Sequence, residues 1–189
     1  MTVPSAMPGD ITLEPLVLAR DVVLLHEWVT HPRSVFWMMQ EASLDDVLRD
    51  YADVVEHPHH DAWLGRVGGR PTFLAETYDP DRAPHVGLAG LPEIAEGDVG
   101  MHLLVAPPRD GTPPEHGLTR RIFAAVLARC FADPAVRRVV VEPDVENAKI
   151  ATINAEAGFV VAREIDLPGK RAALSFCTRE AYAARLVVP

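Results

Sequence analysis

The sequence predicts an α/β (α+β) chain: one mixed central β-sheet of about seven strands, flanked by about four helices. Three observations carry this. Period-two alternation, cleanest over Val99–Ala106, marks strands. Apolar residues spaced three and four apart, most regular over 118–131, mark helices. The order is strand, helix, helix, three strands, helix, strand, helix, two strands, which folds most simply as one sheet with helices packed on it.

Residues 1–10 are expected to form a loose tail, and 11–189 a single domain. Ile11–Leu16 alternates and starts the sheet. Asp21–Thr30 sets Val22, Leu25 and Val29 on one helical face, and His31-Pro32 stops it because a residue before proline avoids the α region. Ser43-Leu-Asp-Asp46 is a capping pattern for a second helix whose face is Leu44, Val47, Leu48, Tyr51 and Val55. Two strands, 62–67 and 72–78, follow across Gly68-Gly69, a hairpin signal. A Pro- and Gly-rich loop, 79–97, leads to strand 99–106. There Gly100, His102, Leu104 and Ala106 share one face. After the turn-dense loop 107–116 comes helix 118–131, with Leu118, Ile122, Phe123, Val126, Leu127, Cys130 and Phe131 as its apolar positions. Strand 137–142 ends at Pro143. Asn147 caps a helix to Ala157, with Gly158 at its C-terminal stop. Strands 160–166 and 172–178 complete the sheet.

Net charge is −9, from 18 Lys and Arg against 27 Asp and Glu, which disfavours nucleic acid as a partner because phosphate backbones need clustered cations. The same balance suits a cationic small molecule. Cys130 and Cys177 stand far apart in no C-x-x-C, as expected of free thiols in a reducing compartment. No basic leader and no run of 18 apolar residues occur, so the expectation is a cytoplasmic protein with no membrane contact, as monomer or homodimer.

Four groups of residues carry possible chemistry. The strand–Gly loop–helix passage over 99–131 places free amide N–H groups and the positive end of a helix where a phosphate binds, with Arg120 and Arg121 adding charge. His102 and Asp144 each follow or sit on neighbouring candidate strands; an imidazole can take a proton and a carboxylate can orient it. His57-Pro-His-His60-Asp61 gathers imidazoles in a loop with no complementary cluster, so no metal is expected and a loop capping a polar substrate is favoured. Phe36-Trp-Met-Met-Gln40 either closes the core or walls a substrate, and Glu76 shares a strand face with Leu74.

Asp98-Val-Gly-Met-His102, Val141-Glu-Pro-Asp144, Asn147, Asn154 and Gly158-Phe159 together resemble the acyl-CoA-binding core of the GNAT acyltransferases. The Gly-x-His…Glu-Pro-Asp-x-x-Asn pattern, the Trp37 segment, His59-His60 and Pro71–Tyr78 are similar to the branch that acylates N-hydroxylated amines in hydroxamate siderophore biosynthesis. The likeness runs from about Thr12 to Thr178. The loop Pro114-Glu-His-Gly-Leu-Thr119 departs from it, keeping one Gly of the family's usual Gln/Arg-x-x-Gly-x-Gly/Ala and placing Thr119 at the last small position.

The resemblance implies acyl-CoA (acetyl-CoA or succinyl-CoA) as co-substrate, no metal, and direct transfer from thioester to nitrogen. It implies His102 as general base, with Asp144 as its partner or as a hydroxylamine-binding residue. It implies that Leu104 and Val105 hold the pantetheine arm and that His116, Gly117, Leu118, Thr119, Arg120 and Arg121 hold the pyrophosphate. Asn147 and Asn154 would also face CoA, and Trp37, His60 and Glu76 would line the acceptor side. The acceptor would be an N-hydroxydiamine such as N-hydroxycadaverine, or N-hydroxyornithine or N-hydroxylysine. The alternatives are acetylation of an ordinary amine (an antibiotic or a polyamine) and an acyl-CoA sensor without turnover.

Overall fold

The computed structural model describes residues 10–108 and 115–186. The expected tail, save Asp10, and residues 109–114 of the loop before the third helix lie outside the described residues. The elements are β1 (Ile11–Pro15), α1 (Leu18–Val29), α2 (Leu44–Glu56), β2 (His60–Val67), β3 (Arg70–Tyr78), β4 (Asp98–Val105), α3 (Leu118–Ala132), β5 (Arg138–Val141), α4 (Ala148–Ala157), β6 (Val160–Leu167), β7 (Lys170–Thr178) and α5 (Arg179–Leu186). The strands form one seven-stranded sheet in the order β1-β2-β3-β4-β5-β7-β6. Its β4–β5 pair is parallel, whereas β1–β2, β5–β7 and β6–β7 are antiparallel. A parallel neighbour requires a crossover, and α3 supplies it.

Local sequence explains most of these elements. In α2 the Ser43 hydroxyl accepts from Asp46 N at 3.2 Å while the Asp46 carboxylate accepts from Ser43 N at 2.9 Å, a complete capping box. Gly68 and Gly69 have φ of +55° and +77°, the pair of positive values that a two-residue β2–β3 turn demands. A Cβ at either would meet nothing within 4 Å, so the backbone and not crowding selects glycine there. Asn147 caps α4 by accepting from Ile150 N at 3.2 Å.

Two compact units divide the described chain: residues up to Glu76 with His102–Ala125, and Thr77–Met101 with residues from Val126 on. In the first, Leu25, Trp28 and Val29 of α1 and Val47 and Tyr51 of α2 bury against Ala62, Leu64, Leu74 and Leu104 on β2, β3 and β4. In the second, Tyr78, Ala83, Leu88 and Val140 pack with Ile165, Ala172, Leu174 and Phe176 of the β6–β7 hairpin. There the Tyr78 ring lies directly over Gly100, where a Cβ would stand 2.0 Å from it.

Three features differ from the sequence expectation. First, α1 begins at Leu18 rather than Asp21, because the Asp21 carboxylate accepts from Val17 N at 2.9 Å and caps the helix from inside its first turn. Second, Pro32–Trp37 winds as a 3-10 helix and ends at Met38 in the left-handed region, φ +59°. Third, α5 follows β7 without a loop, started by Thr178, whose hydroxyl accepts from Ala181 N at 3.1 Å. Arg179 at its head donates to the carbonyls of Phe131, Asp133 and Val136, which lie at and beyond the end of α3. No described helix is long and apolar enough to cross a membrane.

Candidate active site

The period of two that governs a strand sets Leu74 and Glu76 on one face of β3 and His102 and Leu104 on one face of β4. On β2 the same rule aligns His60, Ala62 and Leu64. His60, Glu76 and His102 thus come from three successive strands of the sheet, all within the first unit, and they meet at one carboxylate. His102 Nδ1 lies 3.0 Å from Glu76 Oε2, and His60 Nε2 lies 3.4 Å from the same oxygen. The Tyr51 hydroxyl, reaching down from α2, donates to Glu76 Oε1 at 2.8 Å. Trp37 Nε1 donates to that hydroxyl at 3.0 Å. The Trp37 ring also stands edge-on to the His102 imidazole, centroids 6.2 Å apart at 79°.

Burial grades these groups. Glu76 is 5% exposed and His60 3%, while the His102 side chain keeps 26% of its surface. Burial by itself raises a carboxyl pKa; here the hydrogen bonds and charge of His102 and His60 outweigh it and hold Glu76 well below the usual carboxylate range. Glu76 is therefore an anion, which accepts and cannot donate. Its Oε2 accepts from Nδ1–H of His102. Burial, followed by the Glu76 charge, pushes the Tyr51 phenol well up, so it stays protonated.

The remaining predicted residues fall as follows. The carboxylate hydrogen-bonded to His102 is Glu76, which the resemblance set on the acceptor wall; both of its oxygens are taken by protein donors. Asp144 belongs to the second unit, where it bridges to Ala172 of β7 and its carboxylate accepts from Glu146 N at 2.8 Å. Asn147 and Asn154 lie there too. The Asn147 oxygen is used as a helix cap, whereas Asn154, 5% exposed, has a buried Oδ1 without a hydrogen-bond partner. Leu104 is buried in the first core, and Val105 ends β4. The parallel β4–β5 ladder pairs only Asp98–Gly100 with Arg138–Val140, three positions of an eight-residue strand.

At the head of α3, Gly117 has φ +81°, with nothing within 4 Å of where a Cβ would stand. Leu118, Thr119 and Arg120 form the first turn, and His116 is exposed beside it. Arg121 is already engaged: its guanidinium donates to Asp10 at 2.8 and 3.0 Å and to Glu115 at 2.5 Å. Among the described residues, no group of three or more His, Cys, Asp and Glu side chains is placed to hold a metal ion. Cys130 and Cys177 are free and buried, and burial pushes their thiols up to about 12 and about 11. Tyr51 is the site residue that the sequence hides, because its spacing makes it one more apolar position of α2. Its hydroxyl is the usable signal, since a buried tyrosine needs a partner for that group.

A family model described as an acetyltransferase (GNAT) domain matches residues 17–167. The chain belongs to the GNAT acetyltransferase family. As a GNAT enzyme it is an acyl-CoA-dependent N-acyltransferase. Among curated proteins it is 26% identical over 162 residues to a putative O-acetyltransferase, SAT14, of Stachybotrys chartarum, and covers 85% of this chain but only 34% of that protein. It is 22% identical over 192 residues to N-hydroxyputrescine acetyltransferase of Acinetobacter baumannii, covering 96% of this chain and 88% of the relative. Among solved structures, AAC(6')-Ib in complex with ribostamycin and coenzyme A superposes with a TM-score of 0.77 at 22% identity, covering 93% of this chain and 97% of that one.

Proposed function

We propose that this GNAT enzyme moves an acetyl or succinyl group from acyl-CoA to an N-hydroxylated amine, making a hydroxamate of the kind used in siderophores. The observation that carries the reading is the pairing of His102 Nδ1 with the buried Glu76 carboxylate, which readies a single imidazole base on β4. A hydroxylamine nitrogen is neutral near pH 7, whereas an alkylammonium must first lose a proton that a lone imidazole takes only uphill. A base of this strength matches the first acceptor better. The similarity to an N-hydroxyputrescine acetyltransferase along nearly the whole of both chains supports the same choice. The net charge of −9 favours a diamine, whose far end is an ammonium.

Acyl-CoA supplies the acyl carbonyl as a thioester: the acceptor nitrogen gains the C–N bond, the C–S bond breaks, and CoA leaves as the thiolate, which becomes the thiol with the proton that the acceptor nitrogen gives up through His102. His102 Nε2 takes the proton from the acceptor nitrogen, and Glu76 stabilises the imidazolium that results. The Trp37 ring beside His102 is an apolar wall for the acceptor chain. The β4 amides of Leu104 and Val105, beyond the short β4–β5 ladder, are assigned to the pantetheine arm and the developing oxyanion. Residues 116–121, with the open Gly117 turn, are assigned to the pyrophosphate. In the second unit, the unpaired Asn154 oxygen suits a ligand N–H, whereas Asn147 and Asp144 are engaged there in capping and turn bonds.

The test is thiol release from acetyl-CoA and succinyl-CoA against N-hydroxyputrescine, N-hydroxycadaverine, N-hydroxyornithine, N-hydroxylysine and their parent amines. Turnover confined to hydroxylated acceptors is expected. Turnover of parent amines, spermidine or an aminoglycoside alone would replace this reading with the ordinary-amine one.

A further inference from the structure

We infer that Tyr51, oriented by Trp37, is a positioning residue that fixes the direction of every proton around Glu76 and thereby the tautomer and basicity of His102. This rests on the proposed role of His102 as base, but its geometry stands apart from the identity of the acceptor.

The argument begins with Trp37. An indole N–H only donates. At 3.0 Å from the Tyr51 oxygen it obliges that oxygen to accept, and the single phenolic proton must then go to the other neighbour, Glu76 Oε1 at 2.8 Å. Oε1 therefore accepts, and Oε2 of the ionised carboxylate likewise has no proton to give. On the other side His102 donates to Oε2 through Nδ1 at 3.0 Å, and His60 Nε2 stands at ion-pair distance, 3.4 Å, from the same oxygen. The chain runs one way, Trp37 to Tyr51 to Glu76, with His102 donating from the opposite side. Reversing any link would set two donors or two acceptors face to face in a buried setting.

Each member is held by its own element. Trp37 ends a 3-10 turn pinned by Ser34, whose hydroxyl donates to Trp28 O at 2.6 Å, and by Gln40, whose amide donates to Ser34 O at 2.7 Å. Tyr51 is fixed on α2, and His60 and His102 on strands flanking β3. The groups facing Glu76 are thus Tyr51 from α2, His60 from β2 and His102 from β4. Trp37 acts through Tyr51, and Asp50 adds charge beside the phenol. Removing the Tyr51 hydroxyl would leave more of the carboxylate charge to His102, holding the imidazolium more tightly and making the neutral base scarcer at a given pH.

The experiment compares wild-type enzyme with Tyr51→Phe in two readouts. In steady-state assays with acetyl-CoA and the best acceptor, Tyr51→Phe is expected to lower kcat about tenfold with KM for acyl-CoA unchanged, and to move the acid limb of kcat/KM to higher pH. In 15N NMR of histidine-labelled enzyme at pH 8, wild-type His102, assigned by its loss in His102→Gln, is expected as the Nδ1–H tautomer. An unchanged kcat and pH limb in a folded Tyr51→Phe would reduce Tyr51 to a structural residue and overturn the proposal. Wild-type His102 in the Nε2–H form would overturn it even where Tyr51→Phe fails to fold. Should the Nδ1–H form be found while His102→Gln keeps full activity, the base assignment falls and the positioning of the ring stands.

Discussion

Glu76→Gln is the sharpest perturbation, because it keeps shape and removes charge. The amide places either its oxygen or its NH2 toward His102 Nδ1, 3.0 Å away, and neither carries the anion that stabilises an imidazolium. A hydrogen bond to a charged group contributes about 1.5–3 kcal/mol net. At about 1.4 kcal/mol per decade of rate, kcat should fall roughly 10- to 150-fold. His102→Ala, which removes the base itself, should cost roughly 10²–10⁴ while acyl-CoA binding, read by calorimetry, is kept. The two changes act on one proton transfer, so the double variant should be no slower than His102→Ala alone. The assay is thiol release under saturating acetyl-CoA, with thermal melts to show that each variant is folded. Additive losses in the double variant, or an unchanged rate in Glu76→Gln, would refute the coupling of Glu76 to His102.

Three further outcomes are expected. Because the folded pKa of Glu76 is depressed, its contribution to stability is present above the ordinary carboxyl value of about 4.3 and is lost as pH falls through the folded value; the Tm gap between wild type and Glu76→Gln should therefore shrink below that pH, and a gap constant down to pH 3 would contradict this. Gly100→Ala drives a methyl to 2.0 Å from the Tyr78 ring and threatens its 3.0 Å bond to Glu142, so a loss of about 1–3 kcal/mol or more is expected in denaturant melts. Arg121→Glu should raise KM for acyl-CoA more than KM for the acceptor, since a like charge then meets the pyrophosphate; equal effects on both would move the pyrophosphate away from the head of α3.

Much of the fold is legible because it rests on local rules. The capping box at Ser43, the Gly68-Gly69 turn and the Asn147 cap each lie within four residues of their partners. Helix α3 buries Ile122, Phe123, Val126, Leu127, Cys130 and Phe131, as its spacing requires. Helix α5 is hidden from such rules because distant partners hold it: Arg179 on carbonyls from 131 to 136, and Tyr182 stacked on Phe131 at 4.7 Å.

At the site the division is similar. By itself the sequence determines that His102 stands on a strand face with Leu104, that Glu76 shares a face with Leu74, and that a Gly-led helix follows β4, since strand period and turn chemistry are properties of neighbours in the chain. Only the tertiary structure decides that Glu76 is the carboxylate of His102. The separation of 26 positions between them, and of 25 between Tyr51 and Glu76, is closed by strand order and by the docking of α2, which no local pattern encodes. Burial then converts that encounter into chemistry: with water excluded, the carboxylate takes its hydrogen bonds from Tyr51 and His102, and their donation fixes where the protons lie.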